Sequence, residues 1–146
     1  MNNKKIDAII KQRTLIKANI EDVYNCFATS QGLDSWFCDG SKVDVEAGEM
    51  LFVWKNWGPD KLNDETPAKI LKAEKPFRFS FSWWLESFNT VVDIKLKQTN
   101  DGVILELEED GYPDTPEGRA GLMDCATGWG EAITLIKFFL EHGVRY

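Results

Sequence analysis

Histidine is nearly absent: the chain has one, His142. A single imidazole excludes a multi-histidine metal site and leaves one candidate base for any cysteine nucleophile. Cysteine is sparse too. Cys26, Cys38 and Cys125 are odd in number and form no CxxC pair. That pattern argues against a disulfide framework and fits a reducing cytosol, so a cytoplasmic protein is expected. Basic charge is short, with 17 Lys and Arg against 24 Asp and Glu, a net charge of −7. Such a chain lacks the electrostatic footprint of a phosphate binder, so no nucleic-acid partner is expected. No apolar run approaches the ~18 residues of a membrane helix, so no membrane insertion is expected. The polar opening, residues 1–7, lacks the apolar stretch of a signal peptide and reads as a short frayed tail. No GxSxG, P-loop or dinucleotide fingerprint occurs, and no cofactor is expected.

What is present is ordinary for a globular fold: 43% apolar and 28% charged residues in 146. No repeat or long linker divides the chain, so one domain over residues 1–146 is expected. Ile10 to Ile16 reads as a strand. Asn19 can cap a helix from Ile20 to about Ala28, because its side chain accepts an orphan N–H of the first turn. Ser30 to Phe37 reads as a second short helix. Strand signals follow at Lys42 to Val45, Met50 to Trp54 and Ala68 to Glu74, with residues 55–67 read as a polar loop. Phe77, Phe79, Phe81 and Trp83 alternate with polar residues, the period of a strand with one buried face. Thr90 to Gln98 and Val103 to Asp110 repeat the pattern, with Val92, Ile94, Leu96, Val103, Leu105 and Leu107 inward.

Inward residues must face inward partners, so the last hairpin needs an even-numbered turn. Asp101-Gly102 is the favoured pair, which sets Lys97 opposite Glu106 and Lys95 opposite Glu108. A shift by two keeps these lysines among the same glutamates. A long helix closes the chain, with Thr115 as cap, Pro116 at the first position and Gly143 at the end. Leu122, Ala126, Trp129, Ile133, Ile136 and Leu140 form its apolar stripe. Gly121, Gly128 and Gly130 are costly inside it, which points to irregularity or close packing. The order is strand, two helices, six strands, long helix. It reads as α+β, with an antiparallel sheet wrapped around the last helix.

Several segments in this order resemble a known family. They are Ile16 to Val23, Leu33-Asp-Ser-Trp36-Phe37, Ala47-Gly48 through Phe52, Pro76 through Trp83, and Gly128-Trp129 with Leu135 and Leu140. Together, over about residues 8 to 143, they resemble the START-like (SRPBCC) superfamily, and within it the family related to the C-terminal domain of the Hsp90 ATPase activator Aha1. Glu49 departs from the family's second hairpin glycine, and Met123-Asp-Cys-Ala-Thr127 lacks a histidine that many members carry before Gly-Trp. The resemblance implies a helix-grip fold of the START and Bet v 1 type, with two short helices after the first strand. It also implies a cavity between the curved sheet and the C-terminal helix. Superfamily members bind lipids, sterols and aromatic products, and some catalyse cyclisation or hydration.

The candidate ligand-binding residues are Trp36, Phe37, Phe52, Trp54, Trp57, Phe79, Phe81, Trp83, Ile94, Leu107, Met123, Trp129 and Ile133. Each also suits a packed core, since cavities and cores share one lining chemistry. Trp57, in the polar loop, reads either as a lid or partner contact or as a ring folded back on the sheet. Asn100 to Gly118 holds seven acidic residues and no Lys or Arg. Its spacing is not that of a calcium loop, and it reads as a solvated edge. Cys38 reads as a structural thiol and His142 as a partner of the helix dipole.

Three functions compete. The first is non-catalytic binding of a small apolar or aromatic molecule, which predicts a pocket of roughly 300–1,000 Å³. The second is an interaction module for an Hsp90-type chaperone, hinted at by the acidic stretch and Trp57. The third is a cyclase-like enzyme, which needs acid–base groups inside the cavity. Strand parity puts Asp93, Glu106 and Glu108 outside and leaves Glu109 as the one carboxylate able to reach a cavity mouth. The first reading is favoured and no catalytic residue is assigned.

Overall fold

The computed structural model describes residues 4–85 and 87–146. Its elements in chain order are β1 (Ile10–Ile16), α1 (Ile20–Ala28), α2 (Ser30–Trp36), β2 (Lys42–Asp44), β3 (Glu49–Trp57), β4 (Leu62–Glu74), β5 (Arg78–Leu85), β6 (Phe88–Thr99), β7 (Gly102–Asp110) and α3 (Pro116–His142). The strands make one antiparallel sheet in the order β1-β7-β6-β5-β4-β3-β2. The long C-terminal helix and the two short helices after β1 complete the helix-grip architecture. The expected caps hold α1 and α3: Asn19 accepts from the Glu21 N–H, and Thr115 accepts from the Gly118 N–H. Gly143 ends α3 in the left-handed conformation at φ 69°.

Four sequence expectations are corrected. Residues 55–67 are not a loop. β3 runs on to Trp57, which pairs with Leu62, and only four residues connect β3 to β4. Leu62 to Glu65 is exposed, so no buried face marked it as strand. Phe77 is not on the buried face but 61% exposed, in the turn before β5. The acidic stretch is no edge, because β7 is flanked by β1 and β6. Its outward Glu106 pairs with Arg13 at 3.0 Å. The chain start is not wholly frayed either: Lys5 bridges Pro113, and the Ile6 N–H donates to the Tyr112 carbonyl. Met1 to Asn3 lie outside the described residues.

The last hairpin takes the register shifted by two. Thr99 pairs with Gly102, so the turn is Asn100-Asp101, and Lys95 faces Glu106. Gly102 belongs to the strand. A Cβ there would meet the Ile16 carbonyl oxygen at 2.6 Å, so the close approach of β1 demands the glycine, not the turn alone.

Candidate functional site

The site begins with a carboxyl group where none is comfortable. Strand alternation turns Glu109 inward with Val103, Leu105 and Leu107, and the side chain is 0% exposed. A buried carboxyl has to be held by donors. Three neighbouring elements supply them. Trp83 of β5 donates its indole N–H to Oε2 at 2.8 Å, and Trp129 of α3 donates to Oε1 at 2.8 Å. The Thr90 hydroxyl of β6 contacts Oε2 as well. Glu109 therefore ties α3 to the middle of the sheet by an electrostatic pin inside the core. The Trp83 and Trp129 rings stack, with centroids 5.4 Å apart and planes at 24°.

A cavity of about 230 Å³ opens where the two pinned indoles meet β3 and β4. Its aromatic wall is Phe37, Trp54, Trp57, Trp83 and Trp129, and Leu62 and Leu85 add aliphatic surface. Asp64 and Thr66 border it from β4, and Asp124, Cys125 and Gly128 from α3. A Cβ built on Gly128 meets nothing within 4 Å. That glycine leaves the cavity space free, whereas at Gly121 a Cβ would meet the Phe88 ring at 3.1 Å. The volume lies below the roughly 300–1,000 Å³ usual for ligand pockets, so it suits a molecule of one or two rings. A larger cleft of about 460 Å³ lies on another side of Trp57, lined by both signs of charge, including the Arg145–Asp39 pair at 3.2 Å.

Two polar atoms in this region are buried without a hydrogen-bond partner among the described residues: the Trp54 Nε1 and the Tyr112 hydroxyl. The Trp54 ring is a wall of the cavity, while its Nε1 is itself shielded from solvent behind that wall. The Tyr112 hydroxyl approaches Cys125 and Glu109 without good hydrogen-bond geometry. Burial first, then the charge of Glu109, holds that phenol well above its ordinary range. Burial followed by Glu109 also pushes the Cys125 thiol up to about 11, so it lines the cavity as a neutral thiol.

Of the residues singled out from sequence, five come together around the cavity: Phe37, Trp54, Trp57, Trp83 and Trp129. Trp57 is the end of β3, packed edge-on to Phe37 with centroids 5.8 Å apart. Trp36, Phe52, Phe79, Phe81, Ile94, Leu107 and Ile133 are buried in the core and do not line it. Met123 is corrected: it is 67% exposed and does not border the cavity. Cys38 is buried away from any mouth. Glu109 sits behind the aromatic wall instead of at the mouth. Sequence reasoning missed Asp64, Thr66, Asp124, Cys125 and Gly128. The first two carry a signal: Leu62, Asp64, Thr66 and Ala68 share one face once β4 is drawn as a full strand.

The chain matches a family model described as "Activator of Hsp90 ATPase homolog 1-like protein" over residues 17–141. Solved structures share the fold. The solution structure of the Aha1 dimer from Colwellia psychrerythraea is 19% identical with a TM-score of 0.74, covering 93% of this chain and 98% of that one. A protein from Bacillus halodurans is 22% identical with a TM-score of 0.72, covering 94% and 99%. CalU16 from Micromonospora echinospora is 24% identical with a TM-score of 0.64, covering 92% and 76%. No curated protein matches the chain.

Proposed function

We propose that this chain, which belongs to the Activator of Hsp90 ATPase homolog 1-like family, binds a small apolar or aromatic molecule between its sheet and C-terminal helix without transforming it. One observation carries the reading: a cavity walled by five aromatic rings between β3, β4, β5 and α3. Apolar walls supply affinity by burying a guest's surface. Among the described residues one carboxyl is fully buried, and each of its oxygens is already held by an indole N–H, which supports a non-catalytic reading. The three free thiols support a reducing compartment such as the cytoplasm. Among the described residues no helix is long and apolar enough to cross a membrane.

The test uses a neutral two-ring probe, 1-naphthylamine, titrated by its fluorescence into wild type and Gly128→Leu. Saturable one-to-one binding by wild type, lost in the variant while its melting temperature holds, is the expected result. A probe signal that never saturates, or one indifferent to Gly128→Leu, rejects the cavity as a ligand site. In that case the second reading gains: an interaction module for an Hsp90-type chaperone, tested by co-purification with that chaperone.

A further inference from the structure

We propose that the cavity selects a positively charged guest: an apolar or aromatic amine, or its quaternary ammonium counterpart. Its body would lie against the tryptophans and its cationic end at a rim formed by Asp64 and Asp124. The inference deepens the ligand-binding reading above and rests on it.

The sign of the rim comes first. Among the described residues, Asp64 and Asp124 are the only charged ones that line the cavity, and no Lys, Arg or His does. They stand on different elements, β4 and α3, so they face one opening from two walls. Asp64 is directly opposite Trp54 in the β3–β4 register, which puts its side chain on the cavity side of the sheet. Asp124 is four residues before Gly128 on α3, on the same helix face as the open space at that glycine. Neither carboxylate has an ion-pair partner among the described residues, where the bridges are made by Arg13, Arg78, Arg119 and Arg145. Their charge is unneutralised at the mouth of an apolar space.

The walls agree with the rim. Indole faces attract cations through the ring quadrupole, tryptophan most strongly. Trp83 and Trp129 have their N–H groups turned back onto Glu109, which places an acceptor behind each ring and raises its electron density. The thiol of Cys125 stays neutral and adds no competing charge. An anionic guest would meet two carboxylates with few donors to offset them. The net charge of −7 extends the same preference to long range. No group of residues suited to a metal ion occurs among the described residues, which points to an organic cation.

The test is calorimetric titration of the intact protein with three probes of one shape: 2-(aminomethyl)naphthalene, 2-naphthalenemethanol and 2-naphthoate. At neutral pH these are a cation, a neutral molecule and an anion. The amine should bind on the order of tenfold more tightly than the alcohol, and the naphthoate most weakly. The preference should shrink in 0.5 M salt, because the rim is exposed. The paired variant Asp64→Asn, Asp124→Asn should narrow the amine-to-alcohol ratio toward one. Equal binding of amine and alcohol, tightest binding of naphthoate, or a preference that survives the paired variant would overturn the inference while leaving the ligand-binding reading intact. Failure of all three probes to bind wild type would overturn both.

Discussion

The inner face of the sheet changes character between β6 and β5. On one side, β1, β7 and β6 present Ile10, Ile16, Val92, Ile94, Leu96, Val103, Leu105 and Leu107, all buried. On the other, β5 and β3 present Phe79, Phe81, Trp83, Phe52 and Trp54, and β4 between them presents Thr66, Ala68 and Ile70, with Leu62 and Asp64 at the cavity end. Branched aliphatic side chains interdigitate and fill space to near-crystalline density. Large flat rings over small β4 residues leave a gap, and α3 widens it with Gly128 where a larger side chain would close it. Two halves of one sheet, covered by one helix, thus make a sealed core and a cavity. Glu109 stands at the boundary: it belongs to the aliphatic half by strand and to the aromatic half by its hydrogen bonds.

Buried and cavity-side thiols should first separate these environments through pH. Burial pushes Cys26 and Cys38 from their ordinary 9.0 up to about 12, and Cys125 to about 11. Between pH 9 and those values the unfolded chain releases protons that the folded chain keeps, so stability is full below 9 and falls as pH rises. Each such thiol contributes a slope of about 1.4 kcal/mol per pH unit. Urea midpoints from pH 8 to 11 should fall steeply, and less steeply in a Cys26→Ala, Cys38→Ala double variant. Identical slopes would contradict the assignment.

Truncation should cost most in the sealed half. Leu105→Ala, at 0% exposure, should lose about 2–5 kcal/mol by urea unfolding. Trp57→Ala, half-buried at the cavity, should lose about 1 kcal/mol. Equal losses would mean that the aromatic half is packed as tightly as the other. At the boundary, Glu109→Gln should cost about 1–3 kcal/mol, because the amide NH2 must then face an indole N–H. Spectra of the indole N–H protons of Trp83 and Trp129 would show which one is released. The smallest effect is a gain: Gly128→Ala removes a helix-interior glycine without a clash and should add about 0.5–1 kcal/mol of stability.

Much of this architecture was legible along the chain. Wherever one face is buried and the other wet, as in β6 and β7, alternation located the strands and the inward residues, Glu109 among them. Asn19, Thr115, Pro116 and Gly143 marked the helix ends because capping is a local exchange between a side chain and a few backbone groups. β4 was only half legible. Its first residues are exposed, so nothing in their polarity distinguishes a strand from a loop. Gly102 misled because a glycine demanded by a neighbouring strand looks the same, in sequence, as one demanded by a turn. The cavity itself was legible only as a surplus of aromatic residues, with no sign of which would fill space and which would border it.

Local chemistry therefore settled the order of elements, their caps, the alternating faces and the identity of the core-forming residues, since each depends on neighbours within a few positions. The partition of those residues into core and cavity was settled elsewhere. It depends on which rings from β3, β5 and α3 meet, on small side chains of β4 lying beneath them, and on a carboxyl of β7 turning two indoles toward itself. These arrangements join residues 20 to 75 positions apart: Glu109 bonds Trp83 and Trp129, and Trp54 and Trp129 wall one cavity. Packing at that range is a property of how the elements assemble, and it appears only when the sheet closes on the helix.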